Sequence, residues 1–175
     1  MNRTARTITL SAVMTALTVV FLFLANILPT GRLGIIAVAS LFVTAAVIEA
    51  GISAGVFVFV GSGILAALIL PEKTTALLFA VFFGYYPLIK SLAERLKKTV
   101  LTWAVKIAVF NAALTVIWFI FRKLLFELDT LSLNALVIYA LGNILFVLFD
   151  IGLTKLISLY IVRISKNLKK DRNNR

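Results

Sequence analysis

The chain alternates between long apolar blocks and short polar interruptions, a pattern typical of a protein that crosses a membrane several times. Six blocks approach or exceed the roughly 18 to 20 residues that a transmembrane helix needs. They predict helices at residues 7–28, 33–49, 54–70, 75–89, 100–121 and 133–162. The pattern therefore predicts an all-α fold, with six transmembrane helices in a compact bundle that forms one integral-membrane domain over residues 1–175.

Turn-forming residues mark the ends of these blocks. Pro29-Thr30-Gly31 ends the first predicted helix and Pro71-Glu72-Lys73 ends the third, while only Gly51 and its neighbours separate the second helix from the third. Pro87 lies inside the fourth predicted helix and is expected to kink it. The sixth helix is longer than one bilayer crossing, so its end is expected to project into the cytoplasm, ahead of a basic tail at residues 165–175.

The most strongly charged interruption is the stretch Lys90–Lys98, in which four of nine residues are basic. A segment of this kind is too costly to place in hydrocarbon. The whole stretch is therefore expected to lie at one membrane face and to contact anionic lipid.

The distribution of charge predicts the orientation of the helices. The chain carries a net charge of +11, but it is 62% hydrophobic and only 14% charged, so a membrane partner fits better than nucleic acid. With the N-terminus inside, twelve basic residues fall on the inner side and four on the outer side. The twelve are Arg3, Arg6, Lys90, Arg95, Lys97, Lys98, Arg163, Lys166, Lys169, Lys170, Arg172 and Arg175, and the four are Arg32, Lys73, Arg122 and Lys123. This asymmetry favours two cytoplasmic termini.

Several chemistries are excluded by composition. The chain has no cysteine and no histidine, so it has no disulfide, no thiolate nucleophile and no imidazole for a metal or a proton. It also lacks the G-x-x-x-x-G-K-[ST] loop that would cradle ATP phosphates. We therefore expect no enzymatic activity of its own, no resident cofactor and no metal site.

Ionisable residues inside predicted helices are costly and usually have a purpose. Lys106 and Asp150 lie on the fifth and sixth helices and reach similar depth if these helices run antiparallel. An interhelical ion pair that holds the two helices together is the favoured interpretation. A role in coupling or proton movement is the alternative.

Polar and aromatic residues on the same two helices predict a ligand-binding face. Asn111, Trp118 and Arg122 share one face of helix five, and Tyr139 and Asn143 share one face of helix six. Asn26, Arg32 and Tyr86 complete the set of candidate substrate-binding residues. Interhelical hydrogen bonds and an aromatic belt at the membrane surface remain the competing interpretation.

The last motif is a pair of small residues near the inner end of the first helix, Ala12 and Ala16, which would permit close approach of another helix. Six helices in under 200 residues, this A-x-x-x-A pair and the Pro/Gly loop at residues 29–34 resemble the substrate-binding S components of energy-coupling factor vitamin transporters. The resemblance implies a multi-pass protein of the bacterial plasma membrane that binds a vitamin or similar micronutrient. It also implies that Ala12 and Ala16 couple to a transmembrane partner, which cytosolic ATPases drive.

Two other functions stay open at this point. A non-transport membrane scaffold of the rod-shape protein D type has a similar size. A small secondary transporter could use Asp150 and Lys106, although the absence of a detectable inverted repeat counts against it.

Overall fold

The computed structural model describes residues 3–28, 30–96, 98–124 and 135–162. The helices within these ranges are α1 (Arg3–Ile27), α2 (Arg32–Ala50), α3 (Ile52–Ile69), α4 (Lys73–Leu78), a π-helical segment (Phe79–Phe83), α5 (Tyr86–Ala93), α6 (Thr99–Leu124) and α7 (Ala135–Tyr160). The predicted basic tail at 165–175 lies outside these residues.

The predicted fold class is confirmed. The described part of the chain contains six helical stretches that are long and apolar enough to cross a membrane, with α4, the π-helical segment and α5 together forming the fourth. The protein is therefore an all-α, multi-pass membrane protein. The predicted ends lie within about four residues of the observed ones, which is the usual uncertainty of helix boundaries read from sequence.

The first three helices form the most closely packed part of the bundle. Their shared core contains alanines with no exposed surface, Ala25, Ala39, Ala46, Ala54 and Ala66. Small side chains let the backbones approach closely, which gains van der Waals contact that lipid alone does not favour. Gly55 on α3 shows how close this approach is, because a Cβ atom there would overlap the side chain of Val47 on α2.

A single residue, Gly51, connects α2 to α3. Its backbone has φ 92° and ψ 176°, a conformation that side-chain-bearing residues rarely adopt. Its amide donates to the Val47 carbonyl at 3.0 Å, which closes the end of α2. The weak boundary signal in the sequence is thus a real turn, made possible by the missing side chain.

The fourth crossing is broken rather than continuous. The π-helical segment ends at Phe83, Gly84 and Tyr85 follow it, and α5 begins at Tyr86 with Pro87 in its first turn. The prediction of one helix over 75–89 kinked by Pro87 was wrong in its mechanism. Proline costs little in a first turn, where its missing N–H has no helical acceptor, and the break precedes it.

Gly84, the residue after the π-helical segment, has no room for a side chain because aromatic rings crowd its backbone. A Cβ atom at this position would lie 2.7 Å from a ring carbon of Phe59 and 2.8 Å from ring carbons of Phe79. Local π-helical geometry is uncommon and is frequently found at functional sites. Its consequence here is that Tyr86 and Lys90 turn toward α6 and α7.

The stretch Lys90–Lys98 therefore divides into a helical part that contains the buried Lys90 and an exposed connection that follows it. α5 continues to Ala93, and the Lys90 side chain is only 2% exposed inside the bundle, whereas Arg95 and Lys98 are exposed. The expectation that the whole stretch lies at a membrane face was wrong for Lys90. The reason is that a carboxylate from a distant helix compensates its charge.

Candidate functional site

The most unusual feature of the bundle is a group of charged and polar side chains, buried except for Glu94, which we call the inner cluster: Tyr86, Lys90, Glu94, Lys106 and Asp150. Asp150 is at its centre and is 4% exposed. Its Oδ1 accepts from the Tyr86 hydroxyl at 2.5 Å, from Lys90 Nζ at 2.5 Å and from Lys106 Nζ at 3.1 Å. Three helices, α5, α6 and α7, thus meet on one carboxylate.

Glu94 forms the second bridge within the inner cluster. Its Oε1 lies 2.8 Å from Lys90 Nζ and 3.2 Å from Lys106 Nζ, and its side chain is 47% exposed. Lys90 Nζ also donates to the hydroxyl of Thr154 at 2.8 Å. The ring of Trp103 lies 5.4 Å from Lys106 Nζ, within the range of a cation–π contact.

The charges of the inner cluster balance, since two lysines face two carboxylates. Burying an ion pair gains little on its own, because desolvation offsets the attraction. Breaking the pair is costly, because it leaves an uncompensated charge in a low-dielectric environment. The inner cluster therefore holds α5, α6 and α7 in one arrangement, with Glu94 as its opening to solvent.

Aromatic rings cover the inner cluster on the side away from Glu94. Tyr86 meets Phe146 edge-on with ring centroids 5.2 Å apart, and Phe146 stacks on Phe110 at 4.4 Å. Phe149 contacts both Tyr86 and Phe83. These rings separate the charged groups from the polar contacts farther along α6 and α7.

Those polar contacts form a ladder between α6 and α7. Asn111 and Asn143 exchange two side-chain hydrogen bonds of 3.0 Å, and the hydroxyls of Thr115 and Tyr139 lie 2.6 Å apart. The two faces predicted from helical spacing do meet. Trp118 on the same helix is half-buried, and the side chain of Arg122 lies outside the described residues.

A second ion pair joins the two connections at the opposite end of the bundle. Both terminal nitrogens of Arg32 donate to the Glu72 carboxylate, one of them at 2.7 Å, and Asn26 donates to the Glu72 carbonyl at 3.1 Å. The Arg32 guanidinium holds the pKa of the Glu72 carboxyl below its usual value of 4.5. We call this group, Asn26, Arg32 and Glu72, the outer latch.

A groove of about 730 Å³ runs between α1 and α3. Ala12 lines it together with Phe57, whose side chain is 71% exposed, and with several hydroxyl-bearing residues. The Oγ atom of Ser11, which also lines the groove, is buried and has no hydrogen-bond partner. Ala16 lies one turn farther along α1 and is exposed.

The candidate substrate-binding residues fall into three groups with different partners. Asn26 and Arg32 belong to the outer latch, Asn111, Tyr139 and Asn143 to the ladder, and Tyr86 to the inner cluster. Lys106 and Asp150, expected to form an ion pair, are in contact. Within the described residues, no group of three or more Asp and Glu side chains is arranged to hold a metal ion.

Sequence reasoning missed Lys90, Glu94 and Thr154 as members of the polar network. Lys90 and Glu94 were read as part of a surface stretch because charged neighbours follow them. A usable signal was present, since Tyr86, Lys90 and Glu94 are spaced by four residues and so share one helical face. Thr154 likewise follows Asp150 by one turn.

Comparison with known proteins adds no assignment, since no family model, no curated protein and no solved structure matches the chain. The proposals below therefore depend on the residues and contacts of this chain alone.

Proposed function

We propose that the protein is the membrane-embedded substrate-binding subunit of an uptake system for a vitamin or similar micronutrient in the bacterial plasma membrane. It would work as S components of energy-coupling factor transporters do, with a transmembrane coupling subunit and cytosolic ATPases. The observation that carries this proposal is the face of α1 on which Ala12 and Ala16 are exposed. Ala12 also lines the groove shared with α3.

The chemistry of that face suits a helix of a partner subunit. Two alanines one turn apart allow a second helix to approach closely. Lipid tails fit the shape of such a face less closely than a packed helix does.

The capture of substrate from outside would involve the outer latch and the ladder. Each of the candidate ligand groups Arg32, Asn111 and Tyr139 is engaged by another side chain of the protein. Binding would exchange these internal partners for substrate atoms. Opening of the outer latch would admit the substrate, because Arg32 begins α2 directly after the loop at residues 29–31.

Native mass spectrometry of the gently extracted full chain tests the proposal, because it detects bound small molecules and bound subunits together. Ala12→Arg and Ala16→Arg are expected to remove the partner subunits and retain the small molecule. Ala104→Arg is the control, since Ala104 is an exposed alanine on α6, away from the face of α1. Partner binding unchanged by both α1 variants would contradict the coupling role.

A small secondary transporter is the second candidate, favoured by the inner cluster. Intramembrane acids and bases in contact recur in proton relays. In proteoliposomes, this candidate requires uptake driven by a proton gradient without ATP, with loss of uptake in Asp150→Asn. Retention of gradient-driven uptake in that variant would remove Asp150 from the mechanism.

A further inference from the structure

We propose that Lys90 and Lys106 form a binding site for a phosphate-class oxyanion, and that the Glu94 carboxylate occupies this site in the structure as an internal plug. The proposal is independent of the transported substrate, because it rests only on the geometry around these two ammonium groups.

The position of Glu94 Oε1 defines the site. A single oxygen lies 2.8 Å from Lys90 Nζ and 3.2 Å from Lys106 Nζ, so the two ammonium groups converge on one point. Both lysine side chains are buried, at 2% and 4% exposure. Two preorganised, desolvated ammonium groups can both donate charge-assisted hydrogen bonds to one carboxylate or phosphate oxygen, and such bonds are stronger than neutral ones.

The N–H donors of the two lysines explain why the position of Glu94 Oε1 needs an anion. Each ammonium has three N–H donors. Those of Lys90 are matched by Asp150 Oδ1, Thr154 Oγ1 and Glu94 Oε1. Departure of Glu94 would leave one donor on each lysine without an acceptor and would leave the buried group with a net positive charge. An incoming oxyanion would supply the missing acceptors and neutralise the positive charge.

The two carboxylates that share the lysines differ in their freedom to leave. Asp150 is 4% exposed and accepts from three side chains in the core of the bundle. Glu94 is 47% exposed and lies just beyond the last residue of α5, so it can rotate into solvent without disturbing a helix. Glu94 is therefore the exchangeable ligand and Asp150 the fixed one.

The surroundings of Glu94 attract anions. Arg95 and Lys98 are exposed on the connection to α6, at the end of the bundle predicted to face the cytoplasm. A basic rim raises the local concentration of anions, including phosphate headgroups of anionic lipids. The ligand chemistry is the same whether the phosphate is free or belongs to a lipid.

Trp103 provides a reporter for the experiment because its ring lies 5.4 Å from Lys106 Nζ. The chain has two tryptophans, so Trp118→Phe leaves Trp103 as the only one. In this background, the full chain in nanodiscs of neutral lipid is titrated with inorganic phosphate at constant ionic strength. Emission of Trp103 is the readout.

Glu94→Gln is expected to bind phosphate about tenfold or more tightly than the parent, because a charged acceptor no longer competes for the two ammonium groups. Glu49→Gln is the matched control and should behave as the parent, since Glu49 contacts Tyr160 and is outside the inner cluster. Adding Lys106→Gln to Glu94→Gln should abolish the response. Equal phosphate affinity in Glu94→Gln and the parent would overturn the proposal.

Glu94→Asp keeps the test usable if Glu94→Gln does not fold, because a shorter carboxylate retains the charge but reaches the lysines less well. It should bind phosphate more tightly than the parent, and unchanged affinity in this variant also overturns the proposal.

The same titration in nanodiscs with anionic lipid shows whether the phosphate in the site is free or part of a lipid headgroup. Loss of the free-phosphate response there indicates a headgroup in the site, whereas an unchanged response indicates free phosphate, and both outcomes support the site.

Discussion

The Lys90 ammonium lies 2.5 Å from Oδ1 of Asp150, although the two residues are 60 positions apart in the sequence. This contact connects the broken fourth crossing to the last helix. It also explains how a lysine rests inside an apolar bundle, since Asp150 and Glu94 both compensate its charge.

Asp150→Asn should destabilise the bundle by about 3 kcal/mol or more, because it leaves two buried ammonium groups facing one half-exposed carboxylate. The double variant Asp150→Asn/Lys106→Gln restores charge balance and should recover part of this loss. Reversible denaturation of the purified chain in detergent measures both free energies of unfolding. A double variant less stable than the sum of the two single changes would contradict the electrostatic explanation.

Gly84→Ala should lower the free energy of unfolding by about 1–3 kcal/mol, because the new methyl group overlaps the rings of Phe59 and Phe79. Gly63→Ala is the matched control. A Cβ atom there meets nothing within 4 Å, so alanine should be neutral or stabilise the helix by about 0.5–1 kcal/mol. Similar effects of the two changes would show that packing at Gly84 is not the constraint.

The contribution of the outer latch should depend on pH. Because Arg32 holds the Glu72 pKa below 4.5, the stabilisation is fully present above that value and is lost as the pH falls through the lowered pKa. The difference in unfolding midpoint between the parent and Glu72→Gln should therefore be largest near neutrality and should shrink as the pH falls below about 4.5. A difference that is constant over this range would exclude the carboxylate as its cause.

Asn111 and Asn143 should show measurable coupling in a double-mutant cycle. Interhelical hydrogen bonds in membrane bundles contribute about 0.6 kcal/mol on average, and up to about 1.7. Two reciprocal bonds place this pair at the upper end of that range. Strictly additive effects of Asn111→Ala and Asn143→Ala would mean that the ladder adds no net stability.

The membrane-spanning helices were predictable from sequence because the hydrocarbon of the bilayer imposes the same requirement along a whole span. The span must be predominantly apolar and helical. Apolar blocks ended by Pro29, Gly51 or Pro71 are sufficient to place the helices within about a turn. The pairing of Lys106 with Asp150 followed from depth alone. These inferences need only the order of apolar, charged and turn-forming residues along the chain.

The position of Lys90 was not predictable in the same way. A lysine followed by Arg95 and Lys98 looks like a surface residue until its partner on a distant helix is known. The need for glycine at position 84 has the same character, since it depends on the rings of Phe59 and Phe79 that surround this residue in three dimensions. Residues that are distant in sequence compensate the charge of Lys90 and crowd Gly84, and such contacts leave no local pattern in the sequence.

The single-residue connection at Gly51 has a mechanical consequence for the molecule. Because one residue joins them and Gly55 packs closely against Val47, α2 and α3 are expected to move as one body. Hinges need residues that can absorb a change in backbone angles. The amide of Gly51 is bonded to the Val47 carbonyl at 3.0 Å, which fixes its backbone angles, so the connection between α2 and α3 is not a hinge.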